Sequence, residues 1–305
     1  PSVCRTEIPA GTRSRLRDEI GGAAILRRTV ERVARVNGLE KHFVLCPQAQ
    51  MDDVRRILDD VVVQIVGVDG QPDSWRGLTR AARKWSLDGW RGGLGGTTYF
   101  DEFCSPVLLN NLLNRFPAEA VFSYPAAAPL ISGELTAAMI SHRREIGDQG
   151  RLIFTTAVPG LTGVLAETAL IGELAASNSP FGSVLSYKPD APQKDLIFHG
   201  ACMDVPAALR FATGRLVADT DRSIRRITCL TQSLAEPRPD AIGEWLIRED
   251  EQGVEEFPRE VEIELTTESP YPESLLRPSS AAAGKRGPLD VALARRLGRE
   301  LCQRD

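Results

Sequence analysis

The apolar residues of the first two-thirds of the chain fall into two patterns that alternate along the sequence. Short runs such as His42–Cys46 and Val61–Val68 are rich in apolar and β-branched residues, which is typical of buried strands. Between them, segments such as Ala24–Val36 carry apolar residues at the spacing of a helix face. Strands that alternate with helices of about 10–15 residues predict an α/β fold, with a mostly parallel, Rossmann-like sheet flanked by helices.

The same patterns assign further elements as far as residue 176. The other predicted strands are Val3–Ile8, Ala120–Tyr124 and Arg151–Thr156, and the other predicted helices are Asp52–Leu58, Ser74–Trp85, Ser105–Phe116, Gly133–Arg144 and Leu161–Ala176. Ser132 is the expected N-cap of Gly133–Arg144. Sheets of this kind bind ligands at the carboxyl ends of their strands, where the predicted loops 9–22, 67–70 and 124–132 gather.

The composition changes near residue 235, which predicts a domain boundary. Residues 1–235 form the expected main domain, and residues 236–257, with two prolines followed by an acidic stretch, form the expected linker. Residues 258–305 offer one predicted strand and one predicted helix, too little to bury a core of their own. They are therefore expected to be a small C-terminal extension of the main domain or the start of a second domain.

Composition and charge exclude several classes of function. Of the 305 residues, 42% are hydrophobic and 26% are charged, and the net charge of −4 argues against a nucleic-acid-binding surface. No apolar run reaches the length that crosses a membrane, and arginines interrupt the amino-terminal segment where a signal peptide would be apolar. The chain is therefore expected to be cytoplasmic, with no membrane or nucleic-acid partner. Its six cysteines form no CxxC pair, which argues against a structural zinc site.

Two segments carry candidate chemistry. Arg13, Arg15 and Arg17 precede a predicted helix, and the amino end of a helix favours bound phosphate; the alternative is that they are solvated surface charges. The second segment is the glycine-dense stretch 85–102, whose glycines allow close approach to a ligand. Its ligand-binding candidates are Arg91, Gly93 and Gly95 for phosphate and Asp101 for a cation; the alternative is a flexible surface loop.

Three segments resemble, in order, the cytidylyltransferases that activate acidic sugars such as 3-deoxy-manno-octulosonate and acylneuraminate, and the related spore-coat polysaccharide proteins. Pro9-Ala-Gly-Thr-Arg-Ser-Arg-Leu-Arg17 resembles their opening PAR-x-x-S-x-RLPGK. Ala128-Pro-Leu-Ile-Ser-Gly-Glu-Leu135 resembles Gly-Asp-x-Pro-Leu-Ile-x-Pro-Glu-Leu, and Arg215-Leu-Val-Ala-Asp-Thr-Asp-Arg222 resembles the closing Arg-x-Thr-Val-Asp-Thr-Pro-Glu-Asp-Leu. Together the matches cover residues 9–227.

The resemblance implies a nucleotide-diphospho-sugar transferase fold and a set of site residues. It assigns catalytic roles to Arg15 and Asp219, a Mg²⁺ ion to Asp219 and a nucleotide phosphate to the opening segment; the residues expected there are Gly11, Arg13, Ser14, Arg15 and Gly22. The chain departs from the family at four motif positions, since Gly11 replaces an Arg, Glu19 and Ala23 each replace a Lys, and Ala127 replaces an Asp. Asp219 has a structural alternative, as a turn or helix cap. A homodimer is also implied.

The leading interpretation is therefore a nucleotidyltransferase that couples a nucleoside triphosphate to a sugar or sugar phosphate and releases pyrophosphate. The departures at Gly11, Ala23 and Ala127 motivate an alternative, a catalytically degenerate module that binds a nucleotide or a nucleotide sugar, or serves as a scaffold, for an attached domain that resembles radical S-adenosylmethionine proteins. A glycosyltransferase of the same fold is a third interpretation. In addition, residues 258–267 resemble the first strand of radical S-adenosylmethionine barrels, but no three-cysteine cluster motif follows.

Overall fold

The computed structural model describes residues 2–5, 14–68, 77–79, 97–147, 150–185, 200–251 and 290–302, with side chains except at 2–5, 250–251 and 297–302. Contacts divide the chain into two units, Pro1–Gln252 and Gly253–Asp305. The strands are β1 Ser2–Arg5, β2 Glu19–Ile20, β3 Ala23–Ala24, β4 His42–Pro47, β5 Gln64–Val68, β6 Ala120–Pro125, β7 Leu152–Thr155, β8 Val164–Glu167 and β9 Cys202–Met203.

Ten α-helices have described bounds, and residues 77–79 are also helical. They are α1 Ile25–Ala34, α2 Met51–Ile57, α3 Pro106–Arg115, α4 Gly133–Ile146, α5 Thr168–Ala176, α6 Gly182–Leu185, α7 Ala207–Phe211, α8 Asp221–Ser233, α9 Pro239–Glu251 and α10 Val291–Cys302. No helix among these residues has both the length and the apolar composition needed to cross a membrane.

Seven of the described strands form one sheet in the order β5-β4-β1-β6-β8-β7-β9. The pairs β4–β5, β1–β4, β1–β6 and β7–β9 are parallel, and β8 runs antiparallel to both of its neighbours. The predicted mostly parallel α/β sheet is thus confirmed. β4 shows why such strands are apolar throughout: Phe43 to Cys46 are all buried, because helices cover both faces of the sheet.

Local sequence explains several helix boundaries. In α1, the buried Ile25, Leu26 and Val30 lie on one face. The hydroxyl of Ser132 accepts a hydrogen bond from the backbone N–H of Leu135 at 3.1 Å, so the predicted N-cap of α4 is confirmed.

The predicted helix Leu161–Ala176 is wrong in its first part, where Val164–Glu167 forms β8 instead. A short apolar run fits a buried strand as well as a helix. At Gly163, a Cβ atom would lie only 2.0 Å from the carbonyl oxygen of Ser123, so the absence of a side chain permits close pairing with β6. The connection from β7 to β8 contains no helix, and so short a return makes the two strands antiparallel.

The predicted linker range also contains a folded element. Helix α9 lies within residues 236–257, and its Ile242, Trp245 and Leu246 are buried. Gly243 allows α9 to approach α7 closely, because a Cβ atom there would be 2.7 Å from the backbone of Leu209. The domain boundary itself stays a prediction, and the predicted strand at 261–265 lies outside the described residues.

Candidate functional site

Three loop segments meet at the carboxyl edge of the sheet. Residues 126–132 follow β6, residues 156–163 follow β7, and residues 215–220 cross both. The backbone N–H of Ala218 donates to the carbonyl of Ala127, and that of Leu216 donates to the carbonyl of Pro159, each at 2.7 Å. The second and third segments of the family resemblance are therefore adjacent in space.

Gly160 makes this close contact sterically feasible. Its φ is +100°, in the left-handed region that favours glycine. A Cβ atom at this position would lie 2.4 Å from both the carbonyl carbon and the carbonyl oxygen of Leu216. The Pro159–Gly160 turn, which comes just before the predicted helix Leu161–Ala176, provides the surface on which residues 215–217 lie.

A buried ion-pair network lies under these loops and is centred on Arg215. Its Nη1 and Nη2 atoms donate to the two carboxylate oxygens of Glu102, at 3.2 and 2.6 Å. Its Nε and Nη2 atoms donate to Oδ2 of Asp219, at 3.2 and 2.7 Å. The side chains of Arg215, Glu102 and Asp219 are 6%, 4% and 3% exposed. We refer to these three residues as the Arg215 network.

Tyr99 completes the surroundings of the guanidinium. The guanidinium carbon of Arg215 lies 5.6 Å from the centre of the Tyr99 ring, which is within the range of a cation–π contact. The Tyr99 hydroxyl accepts a hydrogen bond from the backbone N–H of Gly160 at 3.0 Å. Burial raises the pKa of Tyr99 above its ordinary value, so the hydroxyl stays protonated. Tyr99 is buried, so its ring is not exposed to a ligand.

The charge state of Arg215 is fixed by the same neighbours. Burial opposes a positive charge, but Glu102 and Asp219 outweigh it and raise the pKa of Arg215 above its ordinary value. The network therefore holds one guanidinium cation against two acidic side chains.

Asp101, a predicted cation ligand, joins two parts of the backbone. Its Oδ1 accepts from the N–H of Phe181 at 2.7 Å, and its Oδ2 accepts from those of Thr98 and Gly182 at 2.7 and 3.1 Å. The side chain is fully buried, and this burial raises its pKa to about 7. The bonds favour a structural role, and metal binding by Asp101 stays a prediction.

Arg15 connects the first resemblance segment to the closing one. Its Nη2 atom lies 2.6 Å from Oδ1 of Asp221, the first residue of α8, and its Nη1 atom lies 3.3 Å from Oδ2 of Asp18. The Nε atom is buried and has no hydrogen-bond partner among the described residues. The sequence predicted Arg15 and Asp219 as site residues, and both lie near the amino end of α8.

The other predicted phosphate-binding residues are distributed as follows. Ser14 is exposed, and Gly22 is an exposed residue of the turn between β2 and β3, with a φ of +78° and open space where a Cβ atom would be. The remaining predicted residues lie outside the described part of the chain and stay predictions; they are Gly11, Arg13, Arg91, Gly93 and Gly95.

The described surroundings of Asp219 are a poor fit for the predicted Mg²⁺ ion, and Mg²⁺ binding by Asp219 stays a prediction. Oδ2 of Asp219 is bonded to Arg215, and the position where the family has an Asp is the buried Ala127. Within the residues that the structure describes, no three His, Cys, Asp or Glu side chains are grouped so that they could hold a metal ion. Sequence reasoning missed that Arg215 and Glu102 pair, because 113 positions separate them in the chain.

No protein-family model and no curated protein sequence matches the chain. Among solved structures, a cytidylyltransferase from Leptospira borgpetersenii serovar Hardjo-bovis matches 83% of this chain and 94% of its own, with 12% identity and a TM-score of 0.53. CMP:2-keto-3-deoxy-manno-octonic acid synthetase in complex with CTP matches 76% and 98%, with 11% identity and a TM-score of 0.44.

A third structure, Rv0371C from Mycobacterium tuberculosis H37Rv in complex with manganese, matches 74% of this chain and 96% of its own, with 14% identity and a TM-score of 0.44. At such identities the likeness concerns the fold, and the match to the Leptospira protein carries it. The chain has the fold of a cytidylyltransferase.

Proposed function

From the fold shared with a cytidylyltransferase, we propose that the chain binds a nucleoside triphosphate at the carboxyl edge of its sheet and transfers the nucleotidyl group to a sugar or sugar phosphate. The proposal is carried by one observation: the segments around Arg15, Ala127 and residues 215–221 converge at that edge. Ligands of open α/β sheets bind at this edge. CTP is the expected donor, and the protein is expected to act as a homodimer.

In this reaction an acceptor oxygen forms a bond to the α-phosphorus, while the bond from that phosphorus to the bridging oxygen breaks. Pyrophosphate leaves with the electron pair of the broken bond, and the acceptor's proton passes to solvent. The chain's contribution is to position the reactants and to offset phosphate charge. Arg15 is the described residue best suited to the second task, because its guanidinium is held in place by Asp221 and Asp18.

The test is pyrophosphate release from CTP, UTP, GTP and ATP in the presence of a panel of sugars and sugar phosphates. We expect release with CTP, and a loss of about tenfold or more in Arg15→Ala, because one charge-assisted phosphate contact is removed. Arg151→Ala is the matched control. Arg151 directly precedes β7, so it lies at the opposite edge of the sheet from the residues 156–163 that follow this strand, and it pairs with Glu173 on the surface. No release from any nucleotide would contradict transfer.

A second candidate function, a nucleotide-binding module without transfer, is favoured by Ala127 and by the pairing of Asp219 with Arg215. Calorimetry separates the two functions, because such a module binds a nucleotide and releases no pyrophosphate. Ala127→Asp tests whether that position alone limits the chemistry. If the restored carboxylate brings neither metal affinity nor turnover, the substitution at 127 is not the sole departure that matters.

A further inference from the structure

The Arg215 network places a positive charge where the resemblance calls for a metal ion. Two nitrogen atoms of Arg215 donate to one oxygen of Asp219, and the same guanidinium forms a two-pronged pair with Glu102. A planar guanidinium matches carboxylates in this way and remains charged at all physiological pH values. Glu102 and Asp219 therefore form a cation site, and the cation that occupies it is the guanidinium of Arg215.

Several contacts fix the guanidinium in this place. Tyr99 lies against it, and the hydroxyl of Tyr99 is bonded to Gly160, whose neighbour Pro159 accepts the N–H of Leu216. The backbone that carries Arg215 is thus held to the same loop that holds Tyr99.

A divalent cation would have to compete with this group. Mg²⁺ binds carboxylate oxygens directly, at about 2.1 Å. To reach Oδ2 of Asp219 it would displace the Nη2 and Nε atoms of Arg215, or else lie beside a fixed positive charge in a buried region where repulsion is strong. A buried carboxylate separated from its partner is also costly.

We infer that Arg215 is the resident cation of this site, and that nucleotide binding there requires no divalent cation held by the residues that the structure describes. The inference rests on the proposed function for the nucleotide, but its statement about the metal concerns only the described residues. Arg215 is a positioning residue here, since it acts through Asp219, Glu102 and the loops above them.

The first experiment uses the whole chain without variants. Electron paramagnetic resonance follows Mn²⁺ binding to the nucleotide-free protein, and calorimetry measures CTP affinity in Mg²⁺ and in EDTA. We expect no stoichiometric Mn²⁺ binding and a change of less than about threefold in CTP affinity. Stoichiometric Mn²⁺ binding, or a loss of about tenfold or more in CTP affinity in EDTA, overturns the inference. If no nucleotide binds, the proposed function fails, and the Mn²⁺ titration alone decides about the metal.

The second experiment removes the resident cation. Arg215→Met leaves Glu102 and Asp219 as two adjacent buried acids, so we expect this variant to gain Mn²⁺ binding and to be stabilised by it. Arg215→Lys keeps the charge and should gain none. Arg210→Met, which breaks the exposed pair with Asp204, is the matched control.

The test also works if Arg215→Met is too unstable to fold without metal. If the variant folds only with metal, refolding with and without Mn²⁺ gives the same readout. If it folds and gains no affinity for Mn²⁺, Arg215 does not occupy the place of a cation and the inference is wrong.

Discussion

At the carboxyl edge of the sheet, the effect of a single residue depends on the neighbours that the fold brings next to it. Gly160, which lies against the backbone of Leu216, is the clearest case. Gly160→Ala must place a methyl group within 2.4 Å of the backbone of Leu216 in addition to adopting a φ of +100°. We expect a loss of about 3 kcal/mol in the free energy of unfolding. Gly22→Ala, with positive φ but open space, should lose only about 1 kcal/mol. Urea unfolding measures both, and equal losses would show that the contact with Leu216 is unimportant.

His42 gives a prediction about pH. It lies at the start of β4, its Nε2 atom is bonded to the hydroxyl of Tyr124, and burial lowers its pKa from 6.5 to about 4. The unfolded chain therefore takes up the proton first as the pH falls. The stability that His42 provides is complete above pH 6.5 and is lost toward pH 4, at up to about 1.4 kcal/mol per pH unit.

His42→Gln isolates this contribution. The difference in unfolding free energy between the wild type and His42→Gln should shrink as the pH is lowered from 7 to 4, because only the wild type has a buried imidazole to protonate. Denaturant unfolding at several pH values measures it. A difference that is constant with pH would mean that the pKa of His42 is not lowered in the folded protein.

The sequence predicted some residues of the site and could not predict others. Arg15 and Asp219 lie in segments whose local pattern resembles a family, so they could be named in advance. The roles of Glu102 and Tyr99 could not, because a buried pair between distant positions leaves no local pattern in the chain. The closing segment even suggested a metal ligand, since nothing in residues 215–222 says that Arg215 folds back onto Asp219 and onto Glu102.

At the scale of elements, Asp101 joins two segments that are far apart in sequence. It caps the short 3₁₀ helix Tyr99–Glu102 and accepts hydrogen bonds from the amino end of α6. In Asp101→Asn the amide NH₂ would face at least one backbone N–H, so we expect a loss of about 2 kcal/mol in unfolding free energy. Asp204→Asn, at an exposed pair, should change it by less than about 0.5 kcal/mol. A similar value for both would argue against the joining role.

Alternation of strands and helices predicted most elements, and the error at β8 has a physical cause. Val164 to Ala166 form a short apolar run, and such a run is compatible with either a helix or a buried strand. Residues 164–167 form a strand because they pair with both β6 and β7, and these partners are next to each other only in the assembled sheet. The N-cap at Ser132 was predictable because its hydrogen bond spans only three residues.

At the scale of the whole molecule, the position of α9 gives a test of the domain boundary. A chain that ends at residue 235 lacks the buried side chains of Ile242, Trp245 and Leu246, whereas one that ends at residue 252 keeps them. We expect the shorter chain to be less stable by more than about 4 kcal/mol, because each such side chain contributes roughly 1.5–3 kcal/mol when buried. Urea unfolding of the two chains measures this. Equal stabilities would support the predicted boundary at 235.

The order of the strands also affects how the protein is made. β8 pairs with both β6 and β7 and lies between them, although it is synthesised after both. Until residues 164–167 emerge from the ribosome, β6 is a bare edge with unpaired amides and carbonyls next to Val121 and Phe122. Such an edge is a template for pairing with another chain. The nascent chain thus loses this template for pairing once residues 164–167 have been made.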